Sequence, residues 1–171
     1  MTEKPQKSIN NGSVFPQKEG TVKSFSFWQR WLFVFSLVVV IFGLGMATLN
    51  RTPLFAIFDL QVNPVFWGTD ALPAGVILFQ GWIYGVLGAT MAGWGVFLAF
   101  IARYPFRNRE RWAWNALLIG LSLWYLTDTA LSLHFGVVFN AIFNTAIFIL
   151  AMLPLFFTRQ DFLSSDRRKK I

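Results

Sequence analysis

The chain has 171 residues and a net charge of +7, yet only 13% of its residues are charged, while 55% are apolar and 18% aromatic. An ordinary soluble domain carries roughly 25% charged residues, so this composition excludes a soluble nucleic-acid-binding protein and is typical of a membrane protein. The absence of cysteine excludes disulfides and thiolate metal sites, and a single histidine is too few for a histidine-based metal or haem site. No metal and no cofactor are predicted.

Four apolar runs are each long enough, at about 20 residues, to cross a bilayer as a helix. The expected fold is all-α, an integral membrane four-helix bundle. Its transmembrane domain covers residues 28–157, with spans at about 28–49, 73–102, 112–133 and 137–157. The polar residues 1–27 are expected to form a disordered cytoplasmic tail, and residues 158–171 a basic cytoplasmic tail.

The first apolar run has a second interpretation as a cleaved signal peptide. Gly45, Met46 and Ala47 have the small-x-small form of a cleavage site. The apolar core is longer than the 7 to 15 residues usual in signal peptides, which favours an uncleaved anchor.

The first connection, residues 50–72, is the longest, and two prolines and a glycine exclude a continuous spanning helix there. Four apolar residues recur in it at helical spacing: Phe55, Phe58, Val62 and Phe66. This pattern predicts either a short helix lying in the membrane interface or a cap packed over the bundle.

Small residues recur at four-residue spacing in the second span, and such a face lets another helix approach closely. The partner helix belongs either to the same chain or to a second copy or a larger membrane complex. The predicted packing residues are Gly81, Gly85, Gly88, Ala89 and Ala92.

Basic residues alternate along the chain, with 5 Lys or Arg in residues 1–30, 1 in the first connection, 4 in the next, none in the short last turn and 5 after the last span. The positive-inside rule therefore places both termini in the cytoplasm, in a protein of the cell membrane. The expected partner is a bilayer with anionic headgroups, and no nucleic acid. The predicted headgroup-binding residues are Arg103, Arg107, Arg109 and Arg111.

Asp128 is the only acidic residue inside a long apolar stretch, and it defines the candidate site. Gly136 is expected to be the turn of a helical hairpin, which brings Asp128 to the depth of Asn144, with Asn140 one turn away on the same face. The predicted intramembrane polar cluster is Asp128, Asn140, Asn144, Ser132 and Trp124.

The usual enzyme signatures, such as a phosphate-binding loop, a serine nucleophile elbow and HExxH, are absent from the sequence, which favours a non-enzymatic role. The favoured function is that of an interaction or accessory subunit of a membrane assembly. The alternative is a proton-, cation- or small-solute-handling protein that uses the Asp128 cluster. A third function is binding of a lipid, quinone or pigment-like ligand against aromatic residues near that cluster.

Overall fold

The computed structural model describes residues 19–69 and 71–168, and the regular secondary structure of these residues is entirely helical. The helices are α1 (Glu19–Leu49), α2 (Ala56–Trp67), α3 (Ala74–Arg103), α4 (Arg111–His134) and α5 (Val138–Arg168). In this part of the chain, Ser24–Leu49, Ala74–Arg103, Arg111–His134 and Val138–Leu163 are long and apolar enough to cross a membrane. The chain is therefore a multi-pass helical membrane protein, as its composition predicts.

The first helix begins before the predicted span, and Phe25 in this extension packs against the bundle. It begins at Glu19 rather than Trp28, so residues 19–27 are helical and not part of a disordered tail, which corrects the prediction. Phe25 is buried, and its ring lies 5.9 Å from that of Phe106 and 6.0 Å from that of Phe162. Residues 1–18 of the predicted tail lie outside the described residues.

The last helix also continues past its predicted end, to Arg168, so residues 158–168 are helical. Pro154 lies inside it and has no N–H to donate to the carbonyl of Leu150. The Trp31 indole N–H of α1 donates to that carbonyl instead, at 3.1 Å, which ties α1 to α5. Residues 169–171 lie outside the described residues.

A close backbone contact joins α1 to α3. A Cβ on Gly43 of α1 would lie 2.6 Å from the Gly88 carbonyl oxygen and 2.6 Å from the Ala92 nitrogen of α3, so this crossing requires glycine. Gly88 in turn meets the backbone of Gly43 and Ala47, while Ala89 is exposed. The small-residue face of α3 therefore packs within the chain. Successive residues of this face are three or four positions apart, and not always four.

The helices form two pairs, α1 with α3 and α4 with α5, and the pairs join most closely where α1 and α5 approach the connection between α3 and α4. We call this end, which lies away from α2, the opposite end. We call the end that carries α2 the α2 end. The buried core lies at the opposite end and consists of Phe25, Leu32, Leu98, Ala102, Phe106, Leu117, Leu121, Ala151, Leu155 and Phe162.

Candidate functional site

A large cavity lies between the two helix pairs, toward the α2 end. Its volume is about 990 Å³, at the upper limit of the roughly 300–1,000 Å³ typical of small-molecule sites. The wall is mostly aliphatic and aromatic, and none of its described residues is lysine, arginine or histidine. The polar side chains in the wall are Tyr84, Thr90, Asp128, Ser132, Asn140 and Asn144.

The cavity is only partly enclosed by its wall. Four apolar residues of its wall are also about half exposed: Val34 and Val38 at 56%, Leu87 at 49% and Leu131 at 52%. Neighbouring side chains therefore cover the wall of the cavity only in part.

An aromatic cluster attaches α2 to the bundle at the end of the cavity. The ring of Phe58 in α2 lies 5.6 Å from that of Phe139, 5.8 Å from that of Phe143 and 6.1 Å from that of Phe42. Aromatic rings at these separations attract each other and keep their mutual orientation. Of the two predicted arrangements, these contacts are those of a cap packed over the bundle. The position of α2 in the membrane interface stays a prediction.

Three of the predicted polar residues meet directly in the wall. The Asn140 amide Nδ2 donates to Asp128 Oδ1 at 2.9 Å and to Ser132 Oγ at 2.7 Å. The Ser132 hydroxyl donates to the Asp128 backbone carbonyl at 2.7 Å and lies 3.2 Å from Asp128 Oδ1. Both N–H groups of Asn140 are therefore used within this network.

The turn between α4 and α5 sets this geometry. Gly136 adopts a φ of +78°, which other residues rarely reach, and its amide donates to the Leu133 carbonyl. The Val137 amide donates to the Ser132 carbonyl at 2.8 Å, so α5 starts directly beside the last turn of α4. The short turn thus places α5 against α4, and Asn140 rather than Asn144 is the residue that contacts Asp128.

Asn144 lies in the same wall but outside this network. Its side chain is only 3% exposed, and its Nδ2 has no hydrogen-bond partner among the described residues. A buried donor without a partner costs about 1–3 kcal/mol of stability. Trp124, the fifth predicted member, also lines the cavity, with its ring 5.9 Å from that of Trp94.

A second polar network joins α2 to α3, and sequence reasoning missed it. The Gln80 amide donates to Asn63 Oδ1 at 2.7 Å and to the Tyr84 hydroxyl at 3.2 Å. Asp59 forms a side-chain hydrogen bond with Tyr84. The signal was present in the spacing, because Asp59 and Asn63, like Gln80 and Tyr84, are four residues apart and share a helix face.

Burial raises the pKa of Asp59 above its ordinary value of 3.8, because desolvation disfavours the carboxylate. The Tyr84 hydrogen bond and the positive charge of Arg51 oppose this rise. Asp59 Oδ1 is buried with no hydrogen-bond partner among the described residues. The carboxylate of Asp59 is thus less favourable where α2 docks than it is in water.

The four predicted headgroup-binding arginines do not act alike. Arg109 Nη2 lies 3.6 Å from Asp161 Oδ1, and its guanidinium carbon lies 4.4 Å from the centre of the Phe25 ring. Arg109 therefore stabilises the opposite end internally. Arg103, Arg107 and Arg111 are exposed, and headgroup binding stays a prediction for them.

Among the described residues no group of three His, Asp or Glu side chains is placed to hold a metal ion. No family model, no curated protein and no solved structure matches the chain.

Proposed function

We propose that this protein binds a lipophilic small molecule in the cavity between its helix pairs, with the polar part of the molecule near Asp128 and Asn144. The observation that carries the proposal is the cavity itself, at about 990 Å³, with an almost apolar wall. Ligand sites are typically apolar concave spaces with a few polar groups that orient the ligand.

The energetics support an occupant. In a packed protein a cavity costs stability, because the atoms in its wall lose dispersion contacts on one side. This cost falls when a molecule of matching polarity fills the space. A lipophile from the surrounding hydrocarbon fits that requirement, since the wall is mostly aliphatic and aromatic.

The predicted alternative, transport of a proton or cation, has less support in the wall. Asp128 is its only carboxylic acid, and the Asp128 Oδ1 atom already accepts from Asn140 and lies close to the Ser132 hydroxyl. A relay needs further titrating groups or water along the path. A wall dominated by aliphatic and aromatic side chains favours a lipophile.

Ligand binding is compatible with the role of an accessory subunit in a membrane assembly, and that role stays a prediction.

We also place both termini on the cytoplasmic side of the cell membrane. The support is the distribution of arginines, since Arg103, Arg107 and Arg111 lie at the opposite end and Arg51 at the α2 end. Anionic headgroups on the cytoplasmic side attract such a cluster.

The experiment compares two tryptophan substitutions on α1. Val38→Trp places a large side chain in the wall of the cavity, whereas Ile41→Trp, at a position 70% exposed and outside the wall, is the matched control. Each protein is purified in mild detergent and extracted with organic solvent, and the lipophiles that accompany it are quantified by mass spectrometry.

We expect one lipophile to accompany the unmodified chain and Ile41→Trp in similar amounts and to be strongly depleted in Val38→Trp. Equal amounts in all three proteins, or none above the detergent background, would overturn the proposal.

A further inference from the structure

One carboxyl oxygen in the cavity wall has hydrogen-bonding capacity that the protein does not use. Asp128 is half-buried, and its Oδ1 accepts from Asn140 at 2.9 Å and lies 3.2 Å from the Ser132 hydroxyl. The other oxygen, Oδ2, makes no hydrogen bond with any described residue, and it is not one of the described polar atoms that are buried without a partner. Asp128 Oδ2 is therefore accessible and unpartnered.

The side chain of Asp128 lies on the face of α4 that lines the cavity. Trp124 lies one turn before Asp128 and Ser132 one turn after it, and all three line the cavity. Leu121, two turns before Asp128, and Leu131 line it as well. Residues three, four and seven positions apart share one face of a helix, so the α4 part of the wall is a single stripe that includes Asp128. A ligand in the cavity is therefore in contact with this carboxyl group.

Ionic head groups match this site poorly. None of the described residues in the wall is basic, so a carboxylate or phosphate head would be buried without a counter-charge. An ammonium head gains from the carboxylate, but it has three N–H groups that each need an acceptor. Asp128 Oδ2 accepts one of them, and a wall that is mostly aliphatic and aromatic offers few acceptors for the other two.

A hydroxyl head matches both protonation forms of the carboxyl group. With the ionised carboxylate, the hydroxyl donates to Oδ2. With the neutral acid, Oδ2 carries the proton, because Oδ1 accepts from Asn140, and the hydroxyl then accepts from Oδ2. An ether or a ketone only accepts and fits the neutral acid alone, whereas an ammonium only donates and fits the carboxylate alone.

We infer that the ligand is a neutral lipophile with a hydroxyl head, a long-chain or polycyclic alcohol, and that this hydroxyl forms a hydrogen bond with Asp128 Oδ2. The inference rests on the proposed function and adds the class of head group and the residue that recognises it. The cavity has room for a long hydrocarbon part, since its wall on α1, from Trp31 to Met46, is about 22 Å long at 1.5 Å per residue.

The test uses five probes with the same long alkyl chain: the alcohol, its methyl ether, the alkane, the carboxylate and the primary amine. Each competes with a long-chain alkyl diazirine for photo-crosslinking to the detergent-purified full chain. In the unmodified protein we expect the alcohol to compete about 3- to 10-fold better than the alkane, the equivalent of one hydrogen bond. An ether, carboxylate or amine that competes as well as the alcohol would overturn the inference.

Asp128→Asn changes the selectivity without removing the polar group. The amide oxygen still accepts from Asn140, and the amide nitrogen takes the place of Oδ2 and donates to the ligand. The alcohol should therefore still bind, and we expect the methyl ether to compete as well as the alcohol, because an acceptor is now sufficient. A purely structural Asp128 would leave the ratio of alcohol to ether unchanged, and that result would refute its role in recognition.

The matched control is Thr90→Val, which removes a different hydroxyl from the wall. The Thr90 hydroxyl already donates to the Val86 carbonyl at 2.9 Å, so it has no donor to offer a ligand. We expect the ratio of alcohol to ether in Thr90→Val to equal that of the unmodified protein. A change as large as that in Asp128→Asn would assign the selectivity to the general polarity of the wall and refute recognition by Asp128.

Failure of this inference is distinguishable from failure of the proposed function. If no probe, the alkane included, competes in the unmodified protein, the proposed function itself is refuted. If all five probes compete equally, the cavity binds lipophiles and only the inference about the head group fails. The probe series needs no variant, so it decides the inference even if Asp128→Asn does not fold.

Discussion

The two ends of this bundle are packed differently. At the opposite end, Ala102, Phe106 and Leu155 are fully buried, and the indole N–H of Trp114 donates to the Leu155 carbonyl of α5. At the α2 end the helix pairs enclose a cavity, and buried polar atoms lack partners among the described residues. Lipid removes the hydrophobic drive for helices to associate, so close packing and hydrogen bonds hold the bundle together.

This difference in packing indicates which residues stabilise the fold and which are available for binding. The opposite end and the α1/α3 contact stabilise the fold, because backbones and rings are in contact there. The α2 end holds its walls apart with large aromatic side chains and positions a few polar groups in between. Substitutions at the two sites should therefore have different consequences.

The largest effect is expected from Gly88→Leu in the α1/α3 contact. A side chain there meets the backbone of Gly43 and Ala47, which cannot move aside without separating the helices. We expect a loss of about 3 kcal/mol or more in the free energy of unfolding, measured by denaturation in mixed detergent micelles.

Two positions on the same helix serve as comparisons for Gly88→Leu. Among the described residues, a Cβ on Gly93 would meet no atom of another segment within 4 Å, and one on Gly85 would meet only the Ala47 carbonyl oxygen, at 3.7 Å. Gly93→Leu should therefore be nearly neutral and Gly85→Leu intermediate. Equal losses at Gly88 and Gly93 would mean that the contact does not carry the stability of the bundle.

A smaller effect is expected from Asp128→Leu at the α2 end. It leaves the amide of Asn140 without its carboxylate acceptor, at a cost of about 1–3 kcal/mol in unfolding free energy. Asp128→Asn is the matched variant, because its amide oxygen still accepts from Asn140. We expect it to retain both stability and the bound lipophile, whereas a well-folded Asp128→Asn protein that has lost its function would favour proton handling instead.

A pH dependence is expected where α2 docks. The pKa of Asp59 is raised in the folded protein, so its contribution to stability is complete below the ordinary value of 3.8 and is lost as the pH rises through the raised pKa. The thermal midpoint of the unmodified protein should therefore fall relative to that of Asp59→Asn as the pH rises through this range. Parallel curves for the two proteins would show that Asp59 titrates as it does in water.

The smallest effect on the fold, and a direct test of which side each end faces, comes from single cysteines. The chain has no cysteine, so Thr69→Cys and Asn108→Cys each introduce one thiol. Both positions are exposed, Thr69 at the α2 end and Asn108 at the opposite end. We expect a membrane-impermeant maleimide to label Thr69→Cys in intact cells and Asn108→Cys only after permeabilisation. The reverse pattern would invert the proposed orientation.

Several features follow from the sequence because they depend on local geometry. The four spans follow from run length, and the approach of Asn140 to Asp128 follows from Gly136 and the fixed rise of two short-linked helices. An acidic residue in an apolar run must also find polar partners nearby. Distances along the chain are sufficient for each of these predictions.

Tertiary structure alone decided how distant helices meet. Gly43 stood outside the predicted packing set, and the pairing of Asn63 with Gln80 depends on how the long first connection folds back. The helical extension around Phe25 depends on its contact with Phe106. The cavity belongs to no single segment, because its volume is set by the angle between two helix pairs, and the spacing of residues within one helix does not determine that angle.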